Sequence, residues 1–220
     1  MVYDFHTHSF LSDGVLLPME LIRRAAVNGY QAIGITDHAA PSNMERVIAE
    51  LSKECRLVAK YWPIEVIPGV ELTHVPAGSI HELAAEARRL GAKLVVVHGE
   101  TLVEPVEPGT NLAAASCKDV DILAHPGLLT EEAAFLAAQN GVYIEITARG
   151  GHNVGNGHVV QVGRGAGVKF VVDSDSHSPS DLLTERWART VAQGAGLSDT
   201  EVETATQTNP LELIARIKDR

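Results

Sequence analysis

Cysteine is scarce in this sequence: Cys55 and Cys117 are the only two in 220 residues, and they form no CxxC pair. This argues against a disulfide framework and against a thiolate metal site. Separate thiols fit the reducing cytoplasm, which is the compartment we expect. We interpret both cysteines as small buried apolar residues of helices.

Positive charge is also scarce, since 18 lysines and arginines face 28 aspartates and glutamates, a net charge of −10. Long nucleic acids are bound by cationic faces, so we expect no long nucleic acid as a partner. No apolar run reaches the roughly 18 residues that a membrane span needs, and no signal-peptide pattern opens the chain. We therefore expect neither a membrane partner nor a targeting segment.

Short apolar runs recur along the chain, and most lack polar alternation, as expected of strands that are buried on both faces. The seven predicted strands cover residues 2–5, 32–36, 64–70, 93–97, 120–124, 142–147 and 168–172. Helical patterns occupy residues 18–29, 43–61, 79–92, 130–141, 178–196 and 209–219, whereas 99–119 is typical of a loop. This alternation predicts parallel strands joined by crossovers, in one α/β domain over 1–220 that forms a closed or nearly closed barrel.

Several helices carry recognisable start signals. We expect Asn43, Thr130 and Asn209 to cap the N-termini of their helices, because short polar side chains accept hydrogen bonds from the first free amides. Ser79 and Glu82 have the spacing of a capping box. These signals predict where the crossover helices begin.

Histidines and carboxylates gather where the predicted strands end. The first strand ends in FHTH, with the turn SDG beyond it, and later strands end in TDH, GVE, VHGE, AHP and DSDSH. In a parallel barrel all strand C-termini emerge at one mouth, where active sites are built. The side chains expected to converge there are His6, His8, Asp13, His38, Glu71, His98, His125, Asp175 and His177.

This set of side chains predicts a metal centre. Packed carboxylates and imidazoles would be poorly compensated without cations. A catalytic zinc takes about three protein ligands and leaves one position for water, so the set would hold two to three divalent ions. Imidazole and carboxylate without thiolate favour Zn²⁺, Mn²⁺ or Fe²⁺. We interpret the other four histidines as hydrogen-bonded structural residues, namely His74, His81, His152 and His158.

The order of these motifs resembles the polymerase and histidinol phosphatase (PHP) domain family. The similarity runs from His6 to His177 and covers HxH, SDG, TDH, GxE, a strand-end histidine, AHP and SDxH. It implies a distorted seven-stranded (β/α)7 barrel of TIM type, with a metal cluster, commonly of three ions, at the C-terminal mouth. Some family members have a histidine where this chain has Asp13, and a carboxylate there is still a competent ligand.

The resemblance also implies how the ligands are shared among the ions. One ion would be held by His6, His8, Glu71 and Asp175. A second would be held by Glu71, as a bridge, with His98 and His125. The third would be held by Asp13, His38 and His177.

The implied activity is hydrolysis of a phosphoester in a small phosphorylated substrate by metal-activated hydroxide, with histidinol phosphate as the named candidate. The candidate catalytic residues are Asp13, His177 and Arg149. Asp13 or a metal-bound water would protonate the leaving oxygen, and the guanidinium of Arg149 matches phosphate geometry. Arg149 and His152 are the candidate substrate-binding residues, in a stretch, 149–157, that we expect to be flexible.

Further carboxylates flank the expected ligands. Asp4, Asp37 and Asp173 are candidates for orienting a neighbouring ligand. The loop that follows His98 contains three glutamates that we expect on a solvated rim, namely Glu100, Glu104 and Glu107.

Three alternatives to a small-molecule phosphatase remain open. The first is a nuclease or nucleotide phosphoesterase that acts on short substrates. The second is a non-catalytic, metal-stabilised binding module, which would not need every ligand to be present. The third is a hydrolase of the amidohydrolase type, which usually employs a bridging lysine, and no lysine ends a middle strand of this chain.

Overall fold

The computed structural model describes residues 1–220, and its strands form one parallel sheet. Strands with long apolar runs lie in the centre because both of their faces are covered. The strands are β1 (Val2–Asp4), β2 (Tyr30–Ile35), β3 (His38–Ala39), β4 (Glu65–Leu72), β5 (Leu94–His98), β6 (Ile122–Ala124), β7 (Tyr143–Thr147) and β8 (Phe170–Asp173).

The sheet curls into a nearly closed barrel. Its order is β1-β2-β4-β5-β6-β7-β8, and the short β3 pairs with the end of β4. A single parallel bridge between Thr7 and Ser176 joins the chain beyond β1 to the chain beyond β8, where the His8 amide donates to the Ser176 carbonyl across 2.8 Å. The predicted barrel of seven parallel strands is confirmed.

Helices follow the strands and cover the outside of the barrel. They are α1 (Pro18–Val27), α2 (Met44–Val58), α3 (Ile80–Leu90), α4 (Thr110–Ser116), α5 (Glu131–Asn140), α6 (Asn156–Ala166), α7 (Glu185–Gly194), α8 (Asp199–Glu203) and α9 (Asn209–Lys218). Short 3₁₀ turns precede α3 and α6, and a π-helical turn, Thr204–Thr208, joins α8 to α9. No helix has the length and apolar character that crossing a membrane requires.

Helix α4 lies in the stretch that the sequence predicts to be a loop. The free amides at its N-terminus are capped by a side chain from outside the helix. One carboxylate oxygen of Glu100 accepts hydrogen bonds from the amides of Gly109 and Asn111 at 3.0 and 2.9 Å. The Asn111 side chain accepts in return from the Glu100 amide at 2.9 Å. Such a cap has no local signal in the sequence, and the loop prediction is therefore wrong for this part of 99–119.

One predicted helix start is confirmed and one is wrong. The Thr130 hydroxyl accepts from the Ala133 amide at 3.2 Å, as an N-cap should. The capping box of Ser79 and Glu82 does not form. The Ser79 hydroxyl instead donates to the Pro76 carbonyl at 2.7 Å within the 3₁₀ turn.

Two asparagines that were expected to be caps have tertiary roles instead. Asn43 accepts from the Ala40 amide at 2.9 Å and donates to the His38 carbonyl at 2.8 Å, which fixes the backbone that carries His38. Asn209 continues the π-helical turn in helical conformation, and its side chain donates to the Phe170 carbonyl at 2.7 Å. Both asparagines thus tie a helix to the sheet.

Two apolar cores pack against the sheet of the barrel. The larger packs the helices against the outer face of the sheet. The smaller fills the barrel interior with residues such as Phe5, Leu94 and Ile122, and Leu213 and Ile217 of α9 pack into it. Burial of this size supplies the main favourable free energy of folding. The apolar filling separates the polar groups of the C-terminal mouth from the buried Asp121 at the other end of the barrel, which pairs with Arg88 and Arg216.

Candidate metal centre

The strand ends bring the predicted ligands into one pocket at the mouth. His6 and His8 follow β1, and both side chains are buried. Pairing of β3 with β4 sets His38 directly beside Glu71. His98 is the last residue of β5, and the remaining members come from loops that follow β1, β6 and β8, namely Asp13, His125, Asp175 and His177.

The innermost part of the pocket is formed by His6, His8, Glu71 and Asp175. Nε2 of His6 lies 3.2 Å from Glu71 Oε1, and Nε2 of His8 lies 3.2 Å from Asp175 Oδ1. His6, His8 and Asp175 each offer a ligand atom within 4.8 Å of the others. The structure therefore gathers the first ligand set that the family resemblance implies.

The third implied set also comes together, and His8 joins it. His8, Asp13, His38 and His177 offer ligand atoms that all lie within 4.8 Å of one another. Nε2 of His177 lies 3.1 Å from Asp13 Oδ2, while its Nδ1 donates to the Asp175 carbonyl at 2.9 Å. This hydrogen bond leaves Nε2 of His177 as the nitrogen that faces the pocket.

The second implied set comes together in part, because His98 and His125 offer ligand atoms within 4.8 Å of each other. His125 Nε2 lies 3.6 Å from Glu71 Oε1, and His6, Glu71 and His125 form one compact group. Nε2 of His98 instead lies 3.1 Å from Oε2 of Glu104, a glutamate that the sequence analysis placed on a solvated rim. His98 thus faces a different carboxylate from the one that the resemblance implies.

Whether these residues fit a metal can be judged from the buried polar atoms that lack a hydrogen-bond partner. Buried nitrogen and oxygen atoms normally have hydrogen-bond partners, and leaving one unpaired is costly. His6 and Glu71 approach each other closely, yet neither His6 Nε2 nor Glu71 Oε1 makes a hydrogen bond. Both ring nitrogens of His8 and Nδ1 of His125 are also unpartnered. These nitrogen and oxygen atoms lie close together and do not hydrogen-bond to one another. Such an arrangement is suited to binding divalent cations.

The electrostatics of the pocket favour the deprotonated forms of Glu71 and His125. Burial raises the pKa of Glu71, but the charges of His6 and His98 outweigh it and hold that pKa well below its usual value. Burial and the charge of His98 hold the pKa of His125 well below its usual value. Glu71 is therefore a carboxylate and His125 a neutral imidazole near pH 7, the forms that bind metals.

Glu145 is a functional residue to which the sequence analysis gave no role. Its Oε1 accepts from Nδ1 of His6 at 2.8 Å, and its Oε2 accepts from the His125 amide at 2.7 Å. A carboxylate on the far ring nitrogen is the usual support of a metal-binding histidine. One feature of the sequence could have pointed to Glu145. It lies on β7, between β6 and β8, and both of those strands lead to candidate ligands.

Asp37 supports the pocket as a backbone anchor. Its carboxylate accepts from the Ser9 amide at 2.8 Å and from the hydroxyls of Ser9 and Ser12 at 2.7 and 2.6 Å. These bonds hold the loop that presents Asp13. Asp37 therefore positions a candidate ligand through its loop rather than through an imidazole ring.

Asp4 and Asp173 lie beneath the pocket, and neither contacts an imidazole by a hydrogen bond. Asp4 accepts from the Ser174 amide and from the Tyr30 hydroxyl, both at 3.0 Å. Asp173 accepts from the Phe5 amide at 2.6 Å. Both aspartates fix backbone at the junction of β1 and β8.

Arg149 lies at the edge of the mouth. Its Nη1 donates to Asp181 Oδ2 at 3.3 Å, and the same oxygen accepts from the His177 amide at 3.1 Å. The guanidinium is about one-third exposed and is therefore accessible to a solute. Arg149 is tied to the segment that carries His177.

The stretch 149–157 contains a short helical turn that packs closely against a neighbouring loop. His152–Gly155 is a 3₁₀ turn, and a Cβ on Gly155 would lie 2.9 Å from the Gly127 carbonyl oxygen. His152 is buried, with its ring centroid 4.5 Å from that of His125. The backbones of two neighbouring loops therefore hold His152 against the metal centre.

The remaining two histidines have structural roles, as predicted. His81 Nε2 pairs with the Ser116 hydroxyl at 3.0 Å, and His158 Nε2 donates to the Leu129 carbonyl at 2.8 Å. Both lie on helices, outside the cluster at the mouth.

Comparison with known proteins gives the family. The family model described as the PHP domain matches residues 4–101, the part that contributes Asp13, Glu71 and His98. The chain belongs to the PHP domain family. Membership of this family indicates a metal-dependent phosphoester hydrolase.

Two kinds of relative share sequence with this PHP protein. An uncharacterized protein of Methanocaldococcus jannaschii is 48% identical over 218 residues, which cover 99% of this chain and all of that protein. A 5'-3' exoribonuclease of Haemophilus influenzae is 38% identical over 71 residues, 32% of this chain and 23% of the enzyme. The similarity to the exoribonuclease is therefore confined to a segment.

Two solved structures share the fold at low sequence identity. A chain of archaeal ribonuclease P with mature tRNA has a TM-score of 0.69 at 15% identity and covers 98% of this PHP protein and 90% of that chain. Histidinol phosphate phosphatase from Lactococcus lactis, complexed with zinc, L-histidinol and phosphate, has a TM-score of 0.60 at 17% identity, with coverages of 90% and 94%. These likenesses concern the barrel alone.

Proposed function

We propose that this PHP protein hydrolyses the phosphate monoester of a small molecule at the barrel mouth, with two to three divalent transition metal ions (Zn²⁺, Mn²⁺ or Fe²⁺) held by the nine strand-end ligands. The observation that carries the proposal is the convergence of these ligands at one mouth, with unpartnered lone pairs on its buried members. Bound divalent cations would neutralise phosphate charge and lower the pKa of a water molecule toward about 7.

Glu71 is the residue that joins the ligand sets. Its Oε1 lies 3.2 Å from His6 Nε2 and 3.6 Å from His125 Nε2, and its Oε2 lies 3.0 Å from His38 Nε2. One carboxylate at the centre of several imidazoles has the position that a bridging ligand requires. Loss of Glu71 should therefore disturb more than one ion.

Asp13 acts as an acceptor and ligand rather than as a proton donor. Burial raises its pKa, but the hydrogen bond from His177 and the charge of His38 hold the pKa well below its usual range. A carboxyl group with a depressed pKa carries no proton near pH 7. This favours solvent as the source of the proton for the leaving oxygen.

Arg149 supplies the phosphate contact that the ligands do not. It is the arginine that the structure ties to the His177 segment, through the shared acceptor Asp181. A guanidinium offers two parallel donors to phosphate oxygens. Arg149 therefore binds the substrate phosphate at the rim, and His152 lines the pocket beside it.

A small substrate fits the charge of the protein, since a net charge of −10 disfavours a long polyanion. The fold neighbour from Lactococcus lactis was solved with L-histidinol and phosphate, so histidinol phosphate is the first substrate to test. The second candidate is a short RNA, favoured by the segment shared with 5'-3' exoribonucleases. The protein has no lysine at the C-terminal end of a strand, which disfavours chemistry of the amidohydrolase type.

The test is a substrate panel run beside elemental analysis of the purified protein. The panel contains histidinol phosphate, nucleoside monophosphates, a chromogenic aryl phosphate and short RNA oligonucleotides. We expect metal-dependent release of phosphate from a monoester. Release of nucleotides from RNA alone would select the second candidate, and bound metal without turnover of any ester would favour a binding module.

Two variants and one matched control sharpen this test. Glu71→Gln and His8→Ala should abolish turnover, because each removes a buried ligand. Glu65→Gln lies on the same strand but is exposed and pairs with Lys218, so it should retain the wild-type rate. Full activity in Glu71→Gln would refute the proposed site.

A further inference from the structure

Glu104 stands at the centre of a second group of imidazoles, nearer to the rim of the mouth. Its Oε2 lies 3.0 Å from His74 Nε2 and 3.1 Å from His98 Nε2, and its Oε1 lies 3.4 Å from His152 Nε2. His98 is the last residue of β5, and three separate segments contribute the others: His74 after β4, Glu104 between β5 and α4, and His152 after β7. Only His98 belongs to the ligands that the family resemblance implies.

The nitrogen of His98 that faces Glu104 is the one available to a cation. Nδ1 of His98 approaches the Gly99 carbonyl at 3.2 Å, and a carbonyl can only accept. A singly protonated ring, the form that binds a metal, would therefore carry its proton on Nδ1 and direct the lone pair of Nε2 toward Glu104. His74, His98 and Glu104 each offer a ligand atom within 4.8 Å of the others.

His152 borders this group through Nε2, which faces Glu104. Its residue exposure is 9%, and its Nδ1 has no hydrogen-bond partner. It also forms a compact group of ligand atoms with His98 and His125. A buried imidazole with an unsatisfied nitrogen is costly unless something occupies the adjoining space.

We propose that His74, His98 and Glu104 form an outer zinc site, with His152 as its fourth neighbour. His98 then serves this outer ion, and the other eight strand-end ligands serve the ions around Glu71. In tetrahedral zinc sites, bonds of about 2.0–2.1 Å place ligand atoms about 3.3 Å apart. The separations of 3.0 and 3.1 Å from Glu104 to His74 and His98 are close to that spacing. Three imidazoles and one carboxylate, without thiolate, suit Zn²⁺ among the divalent ions.

The backbone of His74 agrees with this assignment. Three non-glycine residues of the chain have positive φ, namely His74 (51°), His125 (26°) and Asp175 (51°). The other two are candidate ligands of the inner pocket. This outer site goes beyond the proposed phosphatase function, because zinc binding there does not depend on which ester is hydrolysed.

The experiment measures zinc binding rather than activity. Metal-free full-length protein is titrated with Zn²⁺ against a chromophoric chelator, and bound zinc is counted by elemental analysis after gel filtration. Glu104→Gln and His74→Asn should each retain one zinc fewer than the wild type, or bind that zinc roughly 100-fold more weakly, because each removes a ligand atom. When Co²⁺ replaces Zn²⁺, the visible absorption spectrum of each variant should lack the contribution of one tetrahedral Co²⁺ ion that the wild type shows.

Matched controls come from the same region and residue types. Glu107→Gln changes an exposed glutamate of the same loop, which accepts from the Ala77 amide, and glutamine can still accept that bond. His81→Asn changes an exposed histidine that pairs with Ser116. Both controls should bind zinc as the wild type does.

Unchanged zinc number and affinity in Glu104→Gln would overturn the outer site and leave Glu104 as an ion-pair partner of protonated imidazoles. If His74→Asn does not fold, Glu104→Gln alone decides the outcome. The two proposals can fail separately. If the protein is inactive toward every ester, the phosphatase proposal fails, but the wild type should still bind more zinc, or bind it more tightly, than Glu104→Gln.

Discussion

Glu145 accepts a hydrogen bond from Nδ1 of His6 across 2.8 Å, and both side chains are fully buried. The bond puts the imidazole proton on Nδ1, so Nε2 of His6 is the nitrogen that faces Glu71. The same carboxylate accepts from the His125 amide at 2.7 Å. One glutamate therefore sets the orientation of two candidate ligands on different strands.

Glu145→Gln should weaken metal binding about 10- to 100-fold, the usual effect of removing the support of a metal-binding histidine. Glutamine can accept the bond from His6, but its amide nitrogen would then meet the N–H of His125. Competition with a chelator measures the change. Glu203→Gln is the control, because Glu203 is exposed and pairs with Arg189. Wild-type affinity in Glu145→Gln would show that the orientation of His6 does not depend on this carboxylate.

Asp37→Ala should destabilise the protein by about 3 kcal/mol, because it leaves the buried Ser9 amide without its charged acceptor. The loop that presents Asp13 also loses two hydroxyl contacts, so the variant should bind metal more weakly. Urea unfolding of the metal-free protein measures the free energy. Asp119→Ala, at an exposed position, should unfold like the wild type. Equal midpoints for the wild type and Asp37→Ala would contradict the anchoring role.

The stability of the metal-free protein should depend on the ionisation of Asp4. Burial raises the pKa of Asp4 to about 6, against the opposing hydrogen bonds from Ser174 and Tyr30. A carboxyl group whose pKa is raised in the folded state binds more protons there than in the unfolded chain. Its contribution to stability is therefore complete below about pH 4 and is lost as the pH rises through 6.

The comparison that isolates this effect is the wild type against Asp4→Asn at several pH values. The free energy of unfolding of the wild type should fall relative to the variant by about 3 kcal/mol between pH 4 and pH 7. Chemical denaturation in chelator-treated buffer provides the values. A constant difference across this range would show that Asp4 ionises in the folded protein as it does in water.

Arg149→Ala should raise KM for a phosphate monoester about tenfold or more with a smaller effect on kcat, since one charge-assisted contact to phosphate contributes roughly 1.5–3 kcal/mol. Steady-state kinetics on the best substrate of the panel separate the two constants. Arg164→Ala is the control, because Arg164 lies on α6 and pairs with Glu201. Kinetic constants equal to those of the wild type would remove Arg149 from the substrate site.

The strands and the candidate ligands could be predicted because both depend on local features. A strand buried on both faces reads as a continuous apolar run, and β5 (Leu94–His98) and β7 (Tyr143–Thr147) coincide closely with their runs. His6 and Glu71 stand at strand ends, and parallel strands bring such ends to one mouth whatever the loops do.

The helix starts were predicted less well, because local signals compete with tertiary partners. Asn43 and Asn209 have the chemistry of caps, but each bonds to the sheet side of the molecule instead. Helix α4 takes its cap from Glu100, nine residues before Gly109. When the capping side chain lies outside the usual cap position, the residues around the helix start do not reveal it.

The sequence by itself determined the alternation of strands and helices, the closure into a barrel and the end at which imidazoles and carboxylates collect. Only the tertiary structure decided that His98 faces Glu104 rather than Glu71, and that Glu145 orients His6. The first group of properties follows from hydrophobic periodicity and chain direction, which can be read directly from the order of the residues. The second follows from how the loops fold over the mouth, because contacts of a few ångströms between residues far apart in sequence depend on the packing of the whole barrel.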